Sequence, residues 1–219
     1  MTDIPYPYSV DVVGKLVDAI STERFQTYLI GAGGQDATAA IQRYMWNASV
    51  ASRFQGPLHL LEVALRNAVH GRMTERYGAA WFDLNHLFGP ERGAIADAKA
   101  FLTKRNESVS PGKIVAELSF RFWVALFASK YHSLWKTDLA RLFTPRLVQV
   151  DLHDDLDRLR TLRNRIAHHE PVFNRKLMDD LSRIDRTLHA LSPQMADWLR
   201  WHQRADVAYG TPTDQVCTF

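Results

Sequence analysis

The stretch Asp151–Phe173, DLHDDLDRLRTLRNRIAHHEPVF, decides the reading of this chain. Leu152, Leu156, Leu159 and Ile166 recur at i, i+4, i+7 and i+14, the spacing of one apolar helical face. Charged residues fill the other positions, so the spacing predicts a long amphipathic helix over Asp151–His169. Pro171 ends it, because the residue before a proline resists the α conformation. Arg163, at i+11, falls in the middle of the apolar stripe. A guanidinium there is costly unless it is paired or placed at an interface, and local rules broken without structural gain cluster at functional sites. The bland alternative is an arginine paired with a carboxylate, or one reaching out from the edge of the stripe.

Outward from that stretch, helical periodicity holds nearly everywhere. It predicts helices over Asp36–Phe54, stopped by Gly56-Pro57, and over Leu58–Tyr77, stopped by Gly78. Further helices are expected over Glu91–Lys104, Ile114–Tyr131, Leu134–Phe143, Asn174–Leu191 and Gln194–Ala205. Ser9 or Asp11 caps a first helix near the N-terminus. No segment alternates apolar and polar residues between hairpin turns. The expected class is all-α, a helical bundle with additional helices. It is read as a single domain over 1–209, with the N-terminal helices of 1–55 as an extension and 210–219 as a loose tail.

The chain has 219 residues, 46% hydrophobic and 23% charged, which are ordinary globular values. A chain of this size buries roughly 70% of its unfolded surface and needs no staples. One cysteine, Cys217, excludes an internal disulfide framework and a multi-cysteine zinc site. The net charge of +3, from 27 Lys+Arg against 24 Asp+Glu, excludes a broad cationic nucleic-acid surface. Any contact with nucleic acid must be local. The start, MTDIPYPYSVDVVGK, lacks the pattern of a secretory signal, and no run reaches about 18 apolar residues. The expectation is a cytoplasmic protein with no membrane segment.

Gly31-Ala32-Gly33-Gly34 reads as a turn, since it lacks the ending of a phosphate-binding loop. Lys99, Lys104, Arg105 and Lys113 form a loose basic stretch, read as a solvated helix end that can also track a nucleic-acid backbone. His168-His169-Glu170 does not suit a metal, because adjacent helical side chains diverge by about 100°. No metal and no cofactor are expected. The two histidines instead close a helix, where they meet the negative end of its dipole. Imidazole is also the side chain best suited to proton transfer near neutral pH. Glu62 and Arg66 stand at i, i+4 beside the face of Leu61, Leu65 and Ala68. They form either a surface pair or the edge of a cleft.

Arg163 and His168 are separated by four residues. The segment Leu162–Glu170, LRNRIAHHE, resembles the signature of the HEPN superfamily, and more narrowly its Abi-like branch, the bacterial abortive-infection proteins of AbiD/AbiF type. Leu60–Asn67, LLEVALRN, resembles that family's early helix, and Ser119–Trp123 with Trp135 its aromatic middle. The resemblance covers roughly residues 35 to 205. It implies a helical bundle of HEPN type and a metal-independent endoribonuclease acting as a homodimer on single-stranded or looped RNA. A role in phage defence or a toxin–antitoxin-like setting follows, with an antitoxin or regulatory protein as a possible partner. Carried over by position, Arg163 holds the scissile phosphate and His168 acts as acid or base. Asn164, His169 and Glu170 support them, and Glu62, Arg66 and Asn67 line the cleft. The expected product end is a 2′,3′-cyclic phosphate. Pro171-Val172-Phe173 stands where Abi-like relatives often carry a basic or hydroxyl residue. A helix unbroken through five residues would turn Arg163 and His168 about 140° apart, so the resemblance requires an early helix end or completion of the pair across the dimer. The alternative is a non-catalytic module of the same fold that binds nucleotide, RNA or a partner protein.

Overall fold

Apolar residues at helical spacing fold into ten α-helices, with no strand among the described residues, so the chain is all-α. The computed structural model describes residues 8–34, 36–83 and 87–202. The tail 210–219, Cys217 and the expected helix end at Ala205 lie outside them. In order the helices are α1 Val10–Ile20, α2 Thr22–Gly31, α3 Ala37–Tyr77, α4 Gly89–Lys104 and α5 Pro111–Glu117. There follow α6 Phe120–Ala125, α7 His132–Thr137, α8 Gln149–Ala167, α9 Leu177–Leu191 and α10 Pro193–His202. Among the described residues no helix is long and apolar enough to cross a membrane.

The chain divides into two compact units. The first takes its described residues from 8–55 and 165–177. Ser9 caps α1 by accepting the Val12 N–H, and Val13, Phe25, Tyr28, Ala40 and Ile41 form its core. The second takes 56–164 and 178–202. Its buried side chains include Leu61, Leu65, Val69 and Met73 of α3, Leu152, Leu156, Leu159 and Leu162 of α8, and Ile184 and Leu188 of α9. Aromatic contacts knit it further: Trp81 and Phe82 are 4.3 Å apart, Phe122 and Trp123 4.9 Å.

Three sequence expectations are corrected. Gly56-Pro57 does not stop a helix; α3 runs through both residues for 41 residues. Pro57 gives up one backbone hydrogen bond, and Phe54, Leu58 and Leu61 stay buried on either side of it, so the face continues. The division between the units falls at Gln55–Gly56. Ile114–Tyr131 is not one helix either. Leu118 and Ser119 are extended, and the chain restarts as α6. Phe120, Phe122, Trp123, Val124, Leu126 and Phe127 are all buried, which a single one-sided helix could not achieve. Likewise Leu134–Phe143 breaks at Asp138, whose carboxylate turns inward between α7 and a 3₁₀ turn at Leu139–Leu142.

Candidate functional site

Helix α8 ends at Ala167, and its last turn closes by two backbone bonds. The His169 N–H donates to the Ile166 carbonyl at 3.1 Å and the Glu170 N–H to the Arg165 carbonyl at 2.8 Å. This is the double-bonded C-terminal turn whose pivot takes a left-handed conformation. His169 is that pivot, with φ +56. The helix thus ends just before the histidine pair rather than at His169, and before Pro171. Two other helices end on the same turn. Gly33 (φ +93) is the pivot after α2 and Asn106 (φ +55) the pivot after α4. Glycine and asparagine are the residues this position favours; histidine is the exception. The glycine cluster is accordingly a helix stop.

In the first unit, side chains hold the segment after the histidines. Asn47 of α3 is buried and accepts the Val172 N–H at 2.7 Å. Arg165 donates to the Pro171 carbonyl at 2.9 Å and lies 3.7 Å from Glu170. Arg24 donates to the His169 carbonyl at 3.4 Å. Phe173 packs on Tyr28 at 5.4 Å and under the Arg43 guanidinium at 5.1 Å. Gly31 leaves room for this: a Cβ there would lie 2.8 Å from Arg43 and 3.1 Å from the Phe173 ring. His168 and His169 remain exposed, and neither imidazole has a hydrogen-bond partner among the described residues. Asn47, Arg24 and Arg165 carry no motif in the sequence. The one available signal was an asparagine at a core-facing position of a helix.

In the second unit, Arg163 is not in the middle of the apolar stripe. Leu162 is fully buried in its place, and the Arg163 side chain is 46% exposed. The buried positions 152, 156, 159, 162 and 166 average 3.5 residues per turn, so the face drifts by about 20° per seven residues and leaves Arg163 on its edge. Arg163 Nε stands 3.6 Å from Glu62 Oε2, an ion pair beyond hydrogen-bonding distance. Glu62 therefore faces Arg163 across two helices rather than pairing with Arg66, its i+4 neighbour. Arg66 is half-buried, and its Nε is shielded from solvent with no hydrogen-bond partner. Among the described residues Arg66 has no ion pair. Asn67 and Asn164 are exposed.

The basic stretch is largely neutralised: Lys99 pairs with Asp83, and Arg105 and Lys113 both pair with Glu107. Among the described residues no group of three or more His, Cys, Asp or Glu is arranged to hold a metal ion.

The arrangement offers two kinds of chemistry. The first unit presents exposed imidazoles on a firmly anchored turn. The second presents a guanidinium loosely held by a carboxylate of α3, with the uncompensated Arg66 one turn further along that helix. Comparisons with family models, with curated proteins and with solved structures found no match to this chain.

Proposed function

We propose that this protein is a metal-independent endoribonuclease of HEPN type, similar to the Abi-like abortive-infection proteins, working as a homodimer on exposed RNA loops. The observation that carries the reading is the end of α8. Two solvent-facing imidazoles without other partners among the described residues occupy a turn whose backbone and flanks are fixed by Asn47, Arg24 and Arg165. Arg163, on α8, precedes them in the chain with its charge only loosely engaged.

In this reading the ribose 2′-oxygen attacks phosphorus, the bond to the 5′-oxygen breaks, and a 2′,3′-cyclic phosphate and a 5′-hydroxyl result. His168 takes the 2′-proton or gives one to the leaving oxygen. Arg163 stabilises the charge that develops on the phosphoryl oxygens. Asn164, His169 and Glu170 position these groups. A cytoplasmic role in phage defence or beside an antitoxin follows from the same resemblance.

The test is cleavage of assorted RNAs by purified protein with chelator present, compared with Arg163→Ala and His168→Ala. Loss of cleavage in both variants, with folding intact, is expected. Cleavage that persists in both variants refutes the assignment. A second reading, a binding module without turnover, is favoured by one observation: Glu62 opposes Arg163 in the resting chain. RNA binding without cleavage selects it.

A further inference from the structure

The triplet Leu-Arg-Asn occurs twice, as Leu65-Arg66-Asn67 on α3 and as Leu162-Arg163-Asn164 on α8. Within the second unit the two copies are used alike. Leu65 and Leu162 are both fully buried. Each leucine fixes the phase of its helix, so the following arginine flanks the buried face and the asparagine, a further ~100° around, reaches solvent. Both asparagines are exposed. Glu62 is one turn before Arg66 in α3 and lies 3.6 Å from Arg163 Nε.

We propose that the two triplets build one phosphate clamp, in which Arg66 and Arg163 grip a single phosphodiester of RNA from either side of Glu62. Three observations converge. Arg66 has no ion pair among the described residues, so its guanidinium charge is uncompensated there. The Arg163 head is half-exposed and held at a distance too long for a hydrogen bond, so an incoming oxygen can displace Glu62 from it. Two guanidinium groups against one carboxylate leave one positive charge, which a phosphodiester monoanion neutralises. Paired planar forks also suit phosphate oxygens better than a point charge does. Glu62 acts as the resting counter-ion that keeps the guanidinium groups apart and oriented. Asn67 and Asn164 stand at the two rims, placed to hydrogen-bond the adjoining ribose or phosphate.

The clamp rests on the ribonuclease reading for the identity of its ligand, but its test needs no catalysis. The probe is a short fluorescein-labelled 2′-O-methyl RNA, which lacks the attacking hydroxyl and cannot be cleaved by this chemistry. Its affinity is read by fluorescence anisotropy over a salt series. The wild-type chain is expected to bind. Arg66→Ala is expected to weaken binding about tenfold, the loss of one charge-assisted contact. It also lowers the slope of log affinity against log salt by about 0.7. Arg66→Lys keeps the slope and loses part of the affinity. Glu62→Gln binds more tightly than wild type, because the competing carboxylate is gone. No binding by the wild-type chain, an Arg66→Ala variant with unchanged affinity and slope, or weaker binding by Glu62→Gln each overturn the clamp. If Arg66→Ala does not fold by circular dichroism, Arg66→Lys and Glu62→Gln decide by the same signs. The two readings fail separately. Binding that follows this pattern without cleavage of unmodified RNA retains the clamp and removes the enzyme. Cleavage that is indifferent to Arg66 does the reverse.

Discussion

Replacing His169 by glycine is expected to stabilise the turn relative to alanine while slowing RNA cleavage. His169 is the left-handed pivot of the turn that ends α8, with φ +56, its N–H and that of Glu170 both bonded back to the helix. A residue with a Cβ pays roughly 1–2 kcal/mol for that conformation, and histidine sits at the low end because it visits the region more readily than most. Glycine removes the strain but adds about 0.5–1 kcal/mol of unfolded-chain entropy. Against histidine the net change is therefore small. Against alanine, which keeps the strain and adds nothing, glycine should be more stable by about 1 kcal/mol. With a urea m-value of about 2–3 kcal/mol per M, that is a midpoint shift of about 0.3–0.5 M.

An internal control lies two residues away. Ala167 is exposed and still helical, so Ala167→Gly should lose about 1 kcal/mol. The glycine-against-alanine difference thus changes sign between positions 167 and 169. Urea unfolding of the three variants measures the sign directly. An alanine at 169 as stable as the glycine would refute the left-handed pivot. The turns after α2 and α4 use Gly33 and Asn106 at this place, so a histidine is retained here against the local preference. Strain of this kind is a reason to look for function. An equally stable His169→Gly variant that cleaves RNA at the wild-type rate would show that the imidazole contributes nothing to the reaction.

Two further outcomes test the frame that holds these residues. Asp138 is fully buried and accepts from Arg72 at 2.9 Å, Tyr77 at 2.9 Å and Thr137 at 2.7 Å. Asp138→Ala should cost about 3 kcal/mol in urea unfolding, the low end for breaking a buried pair because Arg72 keeps Glu75. Burial alone would raise the Asp138 carboxyl, but the Thr137 and Tyr77 hydrogen bonds and the Arg72 charge outweigh it and hold it below the ordinary carboxylate range. Its contribution is therefore complete above the unfolded value of about 4 and is lost as pH falls through the lower folded value. A stability profile that loses this contribution near neutral pH would contradict it, as would an Asp138→Asn variant with the same acid limb as wild type. Asn47→Ala strands the buried Val172 N–H and should cost about 1–3 kcal/mol. It should also raise exchange of the amides of 168–170 and 172–173 and slow cleavage; unchanged exchange there would mean that Asn47 does not anchor the turn.

The helical class was legible because leucines repeat at helical spacing and because glycines and prolines mark most of the ends. Where local signals were over-read, burial on both sides decided otherwise. Gly56-Pro57 looked like a stop, yet the apolar face on each side of it continued, and α3 absorbed the lost hydrogen bond. The aromatic run after Leu118 looked like one helix, yet too many of its side chains needed burial for one face to serve. Asp138 gave no warning at all, since a buried carboxylate is legible only with its partners Arg72 and Tyr77, more than sixty residues away in sequence.

The most instructive departure is the phase of Arg163. Read on an ideal wheel, it sat at the centre of the stripe, and its interest lay in being buried. The stripe drifts, Leu162 takes the buried place, and Arg163 comes to the edge with nearly half its side chain in solvent. That position suits phosphate chemistry better than the expected one. A centred guanidinium would be committed to a structural carboxylate, and removing it would unfold the chain rather than report on a reaction. At the edge, with Glu62 too distant for a hydrogen bond and Arg66 lacking a counter-ion among the described residues, it can exchange one anion for another at little conformational cost. The +3 net charge still excludes a broad nucleic-acid surface and leaves room only for a local phosphate site. Several cations are spent on local pairs such as Lys99–Asp83 and Arg105–Glu107. What matters for a phosphodiester is the small excess left where the two Leu-Arg-Asn triplets meet one carboxylate.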